Sequence, residues 1–251
     1  MLLALFTDIH GNREAFDACR AEARRLGAEN FGYLGDLVGY GADPAYVVDR
    51  VAEDFARGAF GVIGNHDLAV VDPDARRMYD EALRAVEYAA RQLDAAQQTF
   101  LAKLPLTATR AGASGLDALF VHADASAPRR FLYVQSAEEA TLSMDATSAH
   151  VTFCGHVHRP RLYHRVKDAP AISFAPSETP TPLARSRRWL ATLGSVGQPR
   201  DGDPRAAFAL YDLERAILTF HRVDYDIETA ARKIVGAGLS DVFAERLFAG
   251  Y

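Results

Sequence analysis

The chain has 251 residues, 49% hydrophobic and 24% charged, which is the balance of an ordinary globular protein with a sizeable core. Its net charge of -5 argues against a surface for long nucleic acids, because such surfaces need an excess of basic residues. A small phosphorylated substrate, nucleotides included, stays compatible with this charge, because bound metal ions can supply positive charge locally.

Cysteine usage and the N-terminal run indicate where the protein resides. Cys19 and Cys154 are too few for a disulfide framework, and both fall in apolar patterns. The apolar run from Leu2 to Phe6 lacks the basic start of a signal peptide, and Asp8 interrupts it early. No apolar stretch reaches the length of a membrane span. We therefore expect a cytoplasmic protein with reduced thiols and no membrane partner.

The first third of the chain alternates short apolar runs with amphipathic helical patterns. Apolar residues at helical spacing over 15–26 predict one helix. Asp43 and Pro44 mark the start of a second helix, and Gly58 marks its end. Strands that alternate with helices indicate a largely parallel sheet. The predicted strands are 2–6, 31–34 and 60–63.

Later segments add helices and then more strands. Residues 78–104 predict two helices, and the spacing of Asp94 and Gln97 indicates a capping box at the start of the second. An exposed helix in this region could serve a homodimer. The remaining predicted elements are strands over 116–121 and 151–153, a helix from Ser136, a hairpin over 207–220, and helices after Asp226 and Ser240.

The stretch 175–205 is rich in Pro, Ser, Arg and Gly, and we expect long loops there. It is too short for a domain linker of consequence, and the chain shows no internal repeat. The sequence therefore predicts a single α/β domain over residues 1–251.

Five of the apolar runs end in side chains that can bind metal ions. The carboxyl ends of strands in an α/β sheet converge on one crevice, so these side chains should meet there. Gly35, Gly64 and Gly155 directly precede candidate ligands and permit close backbone approach. Mixed imidazole and carboxylate ligation suits Mn, Fe, Zn, Co or Ni rather than Ca or Mg alone. The candidate ligands are Asp8, His10, Asp36, Asn65, His122, His156 and His158.

These motifs resemble, in order and spacing, those of the calcineurin-like metallophosphoesterases, from residue 5 to about residue 220. The resemblance implies a four-layer α/β/β/α sandwich with two metal ions at the strand ends. It implies a first metal held by Asp8, His10 and His158, and a second held by Asn65, His122 and His156, with Asp36 bridging them. The matching motifs are Asp8-Ile9-His10, Gly35-Asp36, Gly64-Asn65-His66-Asp67, His122 and Gly155-His156-Val157-His158.

The same resemblance implies the chemistry. A hydroxide between the two ions would attack phosphorus in line, and His66 would stabilise the transition state or protonate the leaving oxygen. Segments 35–41 and 192–200 resemble those of small bacterial and archaeal family members. Gly39 and Tyr40 stand where protein Ser/Thr phosphatases carry an acid and an arginine, which disfavours protein phosphatase activity.

The sequence identifies candidate substrate-binding residues less sharply than the metal ligands. Arg200, in a glycine-rich loop, is predicted to contact substrate. Arg129 and Arg130 could clamp a phosphate or belong to a solvated loop, and the sequence favours neither reading. Tyr133, like Tyr40, could stack on a base, but packing in the core or at the rim is the favoured reading.

The leading functional hypothesis is a hydrolase of phosphodiesters or phosphomonoesters. The alternative is a dinucleoside polyphosphate hydrolase of the Ap4A type. A Ser/Thr protein phosphatase ranks below both. A regulator that binds metal or nucleotide without turnover is disfavoured, because the motif set, including His66, is intact.

Overall fold

Two six-stranded mixed sheets form the centre of the protein. The computed structural model describes residues 1–76, 78–112 and 115–251. The first sheet has the spatial order 3-2-1-11-12-9, in strand numbers that follow the chain. Its strands are β1 (Leu2–Phe6), β2 (Asn30–Tyr33), β3 (Phe60–Gly61), β9 (Thr181–Pro182), β11 (Ala206–Asp212) and β12 (Ile217–Val223).

The second sheet has the spatial order 4-5-6-10-7-8. Within it, β10 pairs in parallel with β6 and antiparallel with β7. The six strands are β4 (Thr107–Arg110), β5 (Ala118–Val121), β6 (Val151–Cys154), β7 (Arg161–Arg165), β8 (Ile172–Phe174) and β10 (Arg188–Thr192).

Helices complete the two outer layers. Short 3₁₀ turns occur at Pro73–Ala75 and Pro128–Arg130. Within the described residues, no helix is long and apolar enough to cross a membrane. The helices are α1 (Arg13–Arg25), α2 (Pro44–Phe55), α3 (Asn65–Val71), α4 (Asp80–Gln92), α5 (Ala95–Ala102), α6 (Ala137–Asp145), α7 (Ile227–Gly236) and α8 (Asp241–Ala249).

The alternation of side chains along β1 shows how the layers pack. Leu3 and Leu5 belong to the core between the two sheets, together with residues of β5, β6 and β11. Ala4 and Phe6 point to the other face and pack in the core that includes α1 and α2. A further core, including Met144 of α6, covers the outer face of the second sheet. The predicted α/β/β/α layering is confirmed.

Parallel pairing brings the predicted ligand segments to one edge. β1 pairs in parallel with β2, and β2 with β3, so their carboxyl ends face the same way. β5 and β6 are also parallel neighbours in the second sheet. The segments that directly follow these five strands carry all the predicted metal ligands.

Capping contacts agree with most of the predicted helix starts. The predicted capping box of Asp94 and Gln97 is present, and Asp226 accepts from Thr229 N at 2.9 Å. Asp43 precedes α2 but makes no capping hydrogen bond; its carboxylate instead accepts from Lys233 Nζ of α7 at 2.8 Å. Lys233 therefore attaches the closing helices to the first half of the chain.

The prediction of long loops over 175–205 was wrong in part, because the short β9 and the longer β10 lie within this stretch. β10 lies between β6 and β7. Its Leu190 and Ala191 are fully buried. Polar and basic residues on both sides of this short apolar core concealed it in the sequence pattern. Strands β4, β7 and β8 were also not predicted; β4 and β8 lie at the sheet edges, and none of their residues is buried.

Candidate binuclear metal centre

The structure brings all seven predicted ligands together at the strand ends. Asp36 lies between two groups of them, with Oδ2 3.7 Å from His10 Nε2 and 3.3 Å from His122 Nε2. Asn65 joins the second group, because its Oδ1 is 3.2 Å from His122 Nε2. Each group offers three ligand atoms within 4.8 Å of one another: Asp8, His10 and His158 in the first, and Asp36, His122 and His156 in the second.

Backbone carbonyls orient three of the histidines. The Nδ1 atoms of these rings lie within hydrogen-bond distance of carbonyl oxygens, so Nδ1 carries the proton and donates it. When the ring is neutral, the Nε2 lone pair then faces the cluster, which is the arrangement that metal-binding histidines require. The pairs are His10 with Val38 O at 3.1 Å, His122 with Leu34 O at 2.7 Å, and His158 with Gln198 O at 2.6 Å.

Asp8 shows that the protein alone does not satisfy the cluster. Its Oδ2 accepts from Thr7 Oγ1 and from His156 N, each at 2.9 Å. Its Oδ1 is buried and has no hydrogen-bond partner, although it lies 3.4 Å from His158 Nε2. A buried carboxylate oxygen without a donor is costly, and a cation at this point would satisfy it. The donor set therefore fits a metal ion.

Electrostatics at Asp36 lead to the same conclusion. Burial disfavours its carboxylate, but His122 and His66 outweigh burial and hold its pKa well below the ordinary value. Burial alone would lower the pKa of His122, yet the Asp36 charge raises it to about 9. Without a metal ion, a protonated imidazole thus supplies the positive charge that the carboxylates need. Burial, with His122 next, lowers the pKa of His156 to about 3, so this ring is neutral.

Backbone conformation sets these residues apart from the rest of the protein. Non-glycine residues rarely adopt positive φ, and such conformations concentrate at functional sites. Among the described residues nine do so, and five of these nine are candidate ligands. The five are Asp8 (52°), His10 (50°), Asp36 (52°), His156 (67°) and His158 (59°).

Gly155 directly precedes the ligand His156, and the structure leaves no room for a side chain at this position. A side chain at this position would overlap the Thr7 hydroxyl and lie 2.5 Å from Asp8 Oδ2. The close approach lets the backbone N–H of His156 reach Asp8. The predicted role of this glycine in close backbone approach is confirmed.

His66 is the second residue of α3 and is buried beside the cluster. Its backbone N–H donates to Asp36 Oδ1 at 2.9 Å, and its ring centroid lies 4.9 Å from that of His10. Its Nδ1 is buried without a hydrogen-bond partner. Burial lowers the pKa of His66. The ring is therefore placed next to both groups of ligands.

Asp67 does not serve to orient the His66 ring. Its Oδ1 accepts from the backbone N–H groups of Leu37 (2.8 Å) and Val38 (3.2 Å), and its Oδ2 accepts from Gly64 N at 3.1 Å. Burial, followed by the charge of Asp36, raises the pKa of Asp67 to about 7. This side chain therefore connects the loops after β2 and β3, which hold Asp36 and Asn65.

Gly39 and Tyr40 stand at the positions where protein Ser/Thr phosphatases carry an acid and an arginine. A side chain on Gly39 would lie 2.5 Å from His66 Nδ1, so glycine leaves room for that ring. The Tyr40 ring centroid lies 4.5 Å from that of His10 and 4.6 Å from that of His66. Its other neighbour is Phe243 of α8, at 4.8 Å. An aromatic contact thus takes the place of a charged partner.

A cleft of about 590 Å³ opens above the cluster, and Arg129, Arg130 and Arg200 all line it. Arg200 Nη2 donates to Gln198 Oε1 at 2.8 Å, and its guanidinium carbon lies 5.6 Å from the Tyr40 ring centroid. Arg129 is more exposed and pairs with Asp72 at 3.2 Å. The structure places these three arginines at the cleft, and their contact with a substrate stays a prediction.

Two tyrosines line the cleft in addition to Tyr40. The sequence favoured core or rim packing for Tyr133 over stacking on a base, and it did not single out Tyr79. Tyr133 is half exposed and stacks on the His156 ring with centroids 4.3 Å apart. Tyr79 lines the same cleft, and its hydroxyl donates to Tyr40 Oη at 3.2 Å. Tyr133 follows Phe131, whose φ of 49° turns the chain toward the cleft. No periodic pattern in the sequence signals such a turn.

Comparison with known proteins decides the family. The sequence model of the calcineurin-like phosphoesterase superfamily domain matches residues 1–216. The chain belongs to this family. The five motifs of this calcineurin-like phosphoesterase all fall within the matched residues, whereas α7 and α8 lie beyond them.

Several proteins resemble this chain over nearly the whole of their own lengths and of its length. An uncharacterized protein of Methanocaldococcus jannaschii is 29% identical over 99% of this chain and 98% of its own. A metallophosphoesterase from Sphaerobacter thermophilus is 31% identical, with a TM-score of 0.85 over 100% of this chain and 99% of its own. A hypothetical protein from Pyrococcus horikoshii, 19% identical over 100% of this chain and 98% of its own, shares the fold with a TM-score of 0.79.

Proposed function

We propose that this protein is a phosphoesterase with two metal ions that hydrolyses phosphodiesters or phosphomonoesters. The observation that carries the proposal is the position of Asp36, whose Oδ2 lies between His10 Nε2 and His122 Nε2. A carboxylate shared by two ligand groups suits a metal pair, which is the usual arrangement for phosphoryl transfer. The likeness to the Sphaerobacter thermophilus metallophosphoesterase supports it.

The ligand assignment follows the two groups. Asp8, His10 and His158 would hold one ion, and Asn65, His122 and His156 the other, with Asp36 in contact with both. Imidazole-rich ligation favours Mn, Fe, Zn, Co or Ni. When bound, the ions would supply Lewis acidity toward water and the phosphoryl group.

The protein groups around the cluster would position the ester and assist the leaving group. Arg200, which lines the cleft beside the first ligand group, would bind phosphoryl oxygens through its guanidinium. His66 would donate a proton to the leaving oxygen or stabilise the transition state. Its buried ring borders the cleft and contacts both Tyr40 and His10, which hold it beside the ligand cluster.

A dinucleoside polyphosphate hydrolase is the second candidate. Arg129, Arg130 and Arg200 all line the cleft, so a chain of several phosphates would have more than one guanidinium to bind. The exposed Tyr133 and Tyr79 in the same cleft offer aromatic faces for a base. This candidate needs the same metal centre and differs in the bond that is cleaved.

Metal content and turnover together test the proposal. We expect about two transition-metal ions per chain and Mn-dependent hydrolysis of bis-p-nitrophenyl phosphate or p-nitrophenyl phosphate. The diester-to-monoester ratio then defines the ester class. Two ions with turnover only on dinucleoside polyphosphates would favour the second candidate. A protein that binds no transition metal after reconstitution would contradict both.

A further inference from the structure

A second pocket, here termed the basic pocket, lies away from the metal centre. It encloses about 340 Å³, and one of the described residues that line it, Asp168, is acidic. This excess of positive charge contrasts with the net charge of -5 for the whole chain. Five lining residues are cationic: Arg165, Lys167, Arg185, Arg187 and Arg188.

The basic pocket and the metal centre occupy opposite ends of the second sheet. His150 lines the pocket directly before β6 begins at Val151, whereas His156 follows the end of β6. Arg188 is the first residue of β10, which runs parallel to β6. Strands of four or five residues separate the two ends by about 13 Å or more. A ligand in the basic pocket would therefore not reach the metal ligands.

Two of the arginines face each other across neighbouring strands, and Asp145, which pairs with Arg165 at 2.7 Å, offsets only part of their positive charge. Arg188 and Arg165 are direct cross-strand partners on β10 and β7. Like charges directly opposite one another destabilise a sheet. Burial, and next the charge of Arg165, lowers the pKa of Arg188. An anion placed between these strand ends would relieve the repulsion.

The protein holds several of these side chains in place. Arg165 Nη1 donates to Asp145 Oδ1 at 2.7 Å, and Arg188 Nη2 donates to the carbonyl of Ala149 at 3.2 Å. Arg187 Nη1 lies 2.6 Å from His164 Nε2. Guanidinium groups that are already oriented lose little entropy when they bind an anion. The described residues show no ion pair for Lys167 or Arg185, so both are available to a ligand.

We propose that the basic pocket binds a phosphate group, either inorganic phosphate or the phosphoryl end of a small phosphorylated molecule. Planar guanidinium forks match the oxygen geometry of phosphate, and each can form two parallel hydrogen bonds. The pocket volume of about 340 Å³ accommodates a phosphate with a small organic group. This site is independent of the hydrolytic function proposed above.

Trp189 provides a local reporter for binding. It is the single tryptophan of the sequence, and it follows Arg188 on β10. Its ring centroid lies 5.0 Å from that of His164, the ring that Arg187 contacts. Phosphate bound to the arginines should therefore change Trp189 fluorescence, whereas phosphate at the metal centre should not.

The test titrates the holoenzyme with inorganic phosphate at constant ionic strength while Trp189 fluorescence and heat are recorded. We expect a saturable signal in the wild type and binding weaker by about tenfold or more in the double variant Lys167→Glu/Arg185→Glu. Arg91→Glu/Lys103→Glu changes the net charge equally at two exposed positions, one in α4 and one directly after α5, and should bind like the wild type. Phenylphosphonate, which is not hydrolysed, distinguishes the two sources of phosphate.

Tighter binding of phenylphosphonate than of inorganic phosphate would indicate a phosphorylated organic ligand, and the reverse would indicate inorganic phosphate. The proposal is overturned if calorimetry shows the same phosphate binding by the wild type and the Lys167→Glu/Arg185→Glu variant. Equal weakening in the Arg91→Glu/Lys103→Glu control would also overturn it, because the effect would then be general charge screening.

Discussion

The floor and the rim of the cleft are built by different means. The seven candidate ligands and His66 form the floor, where backbone hydrogen bonds and close glycine contacts hold the side chains. Arg129, Arg130, Arg200 and Tyr133 form the rim, where the contacts shown for the guanidiniums are to other side chains. Most floor residues are buried, whereas Tyr133 is 50% exposed.

This difference separates two requirements of a phosphoesterase. Metal coordination needs ligand atoms at fixed positions, and strand ends with backbone partners supply them. Substrate selection needs side chains that can adapt or be exchanged without loss of the centre, and exposed loops supply those. Substitutions on the floor should therefore abolish chemistry, while substitutions on the rim should change the choice and affinity of substrate.

Asp36→Asn should have the largest effect. It keeps the size of the side chain but removes the charge shared by the two ligand groups. Loss of an outer-shell partner typically costs 10–100-fold, so loss of a bridging ligand should lower kcat by about 10³-fold or more. Metal analysis should show fewer than two ions per chain. Asp72→Asn, at an acid of the cleft outside the ligand groups, is the control and should retain metal and most activity.

His66→Ala should leave the metal content unchanged while lowering kcat by a factor on the order of 10². The ring borders the cleft and, with His10 and Asp36, offers a third set of close ligand atoms, but each proposed ion has three other ligands without it. Metal analysis and steady-state kinetics on the same preparation measure both quantities. Loss of metal from this variant would make His66 a ligand and remove it from the catalytic role.

Metal affinity should increase with pH between about 7 and 9. The pKa of His122 is about 9 in the metal-free protein, so below that pH a metal ion must displace its proton. Affinity should rise by up to about tenfold per pH unit and level off above the pKa. Calorimetry in buffers of different ionisation enthalpy should detect close to one released proton near neutral pH. Affinity that does not vary over this range would show that His122 is already neutral.

Arg200→Ala should raise KM by about tenfold with a smaller change in kcat, because a charge-assisted contact to phosphate is lost. Arg205→Ala is the matched control, since Arg205 pairs with Asp203 at 2.7 Å and does not line the cleft. A loss confined to kcat would instead indicate that Arg200 acts in the transition state.

Arg129→Ala should have the smallest effect, about two- to threefold on KM, because its side chain is 64% exposed and screened by solvent. Longer substrates should be affected more than p-nitrophenyl phosphate if the arginines contact a polyphosphate chain. Kinetics on both substrates decide this. An effect as large as that of Arg200→Ala would show that the rim binds phosphate over its whole width.

The sequence located the floor residues more sharply than those of the rim, for a physical reason. Asp8 and Asp36 follow directly on buried parallel strands, so hydrophobic pattern and strand geometry locate them. Tyr133 depends on the turn at Phe131 and on a stacking partner 23 residues later, His156, which no local pattern encodes.

The fold shows a similar division. Strands with continuous apolar runs, such as β1 and β6, were predicted nearly to the residue. β10 was missed because Arg188 begins it and a basic segment precedes it. Its place between β6 and β7 follows from long-range pairing, which local composition does not report.

The left-handed backbone at the ligands limits which substitutions can be explored at these positions. Asn and Asp tolerate this conformation better than other side chains, whereas β-branched residues oppose it strongly. At Asp8 and Asp36, with φ of 52°, exchange with asparagine therefore changes the chemistry at little conformational cost. Valine or isoleucine would add backbone strain to the loss of a ligand. Asparagine and glycine should therefore be the substitutions that the backbone at these two positions tolerates best.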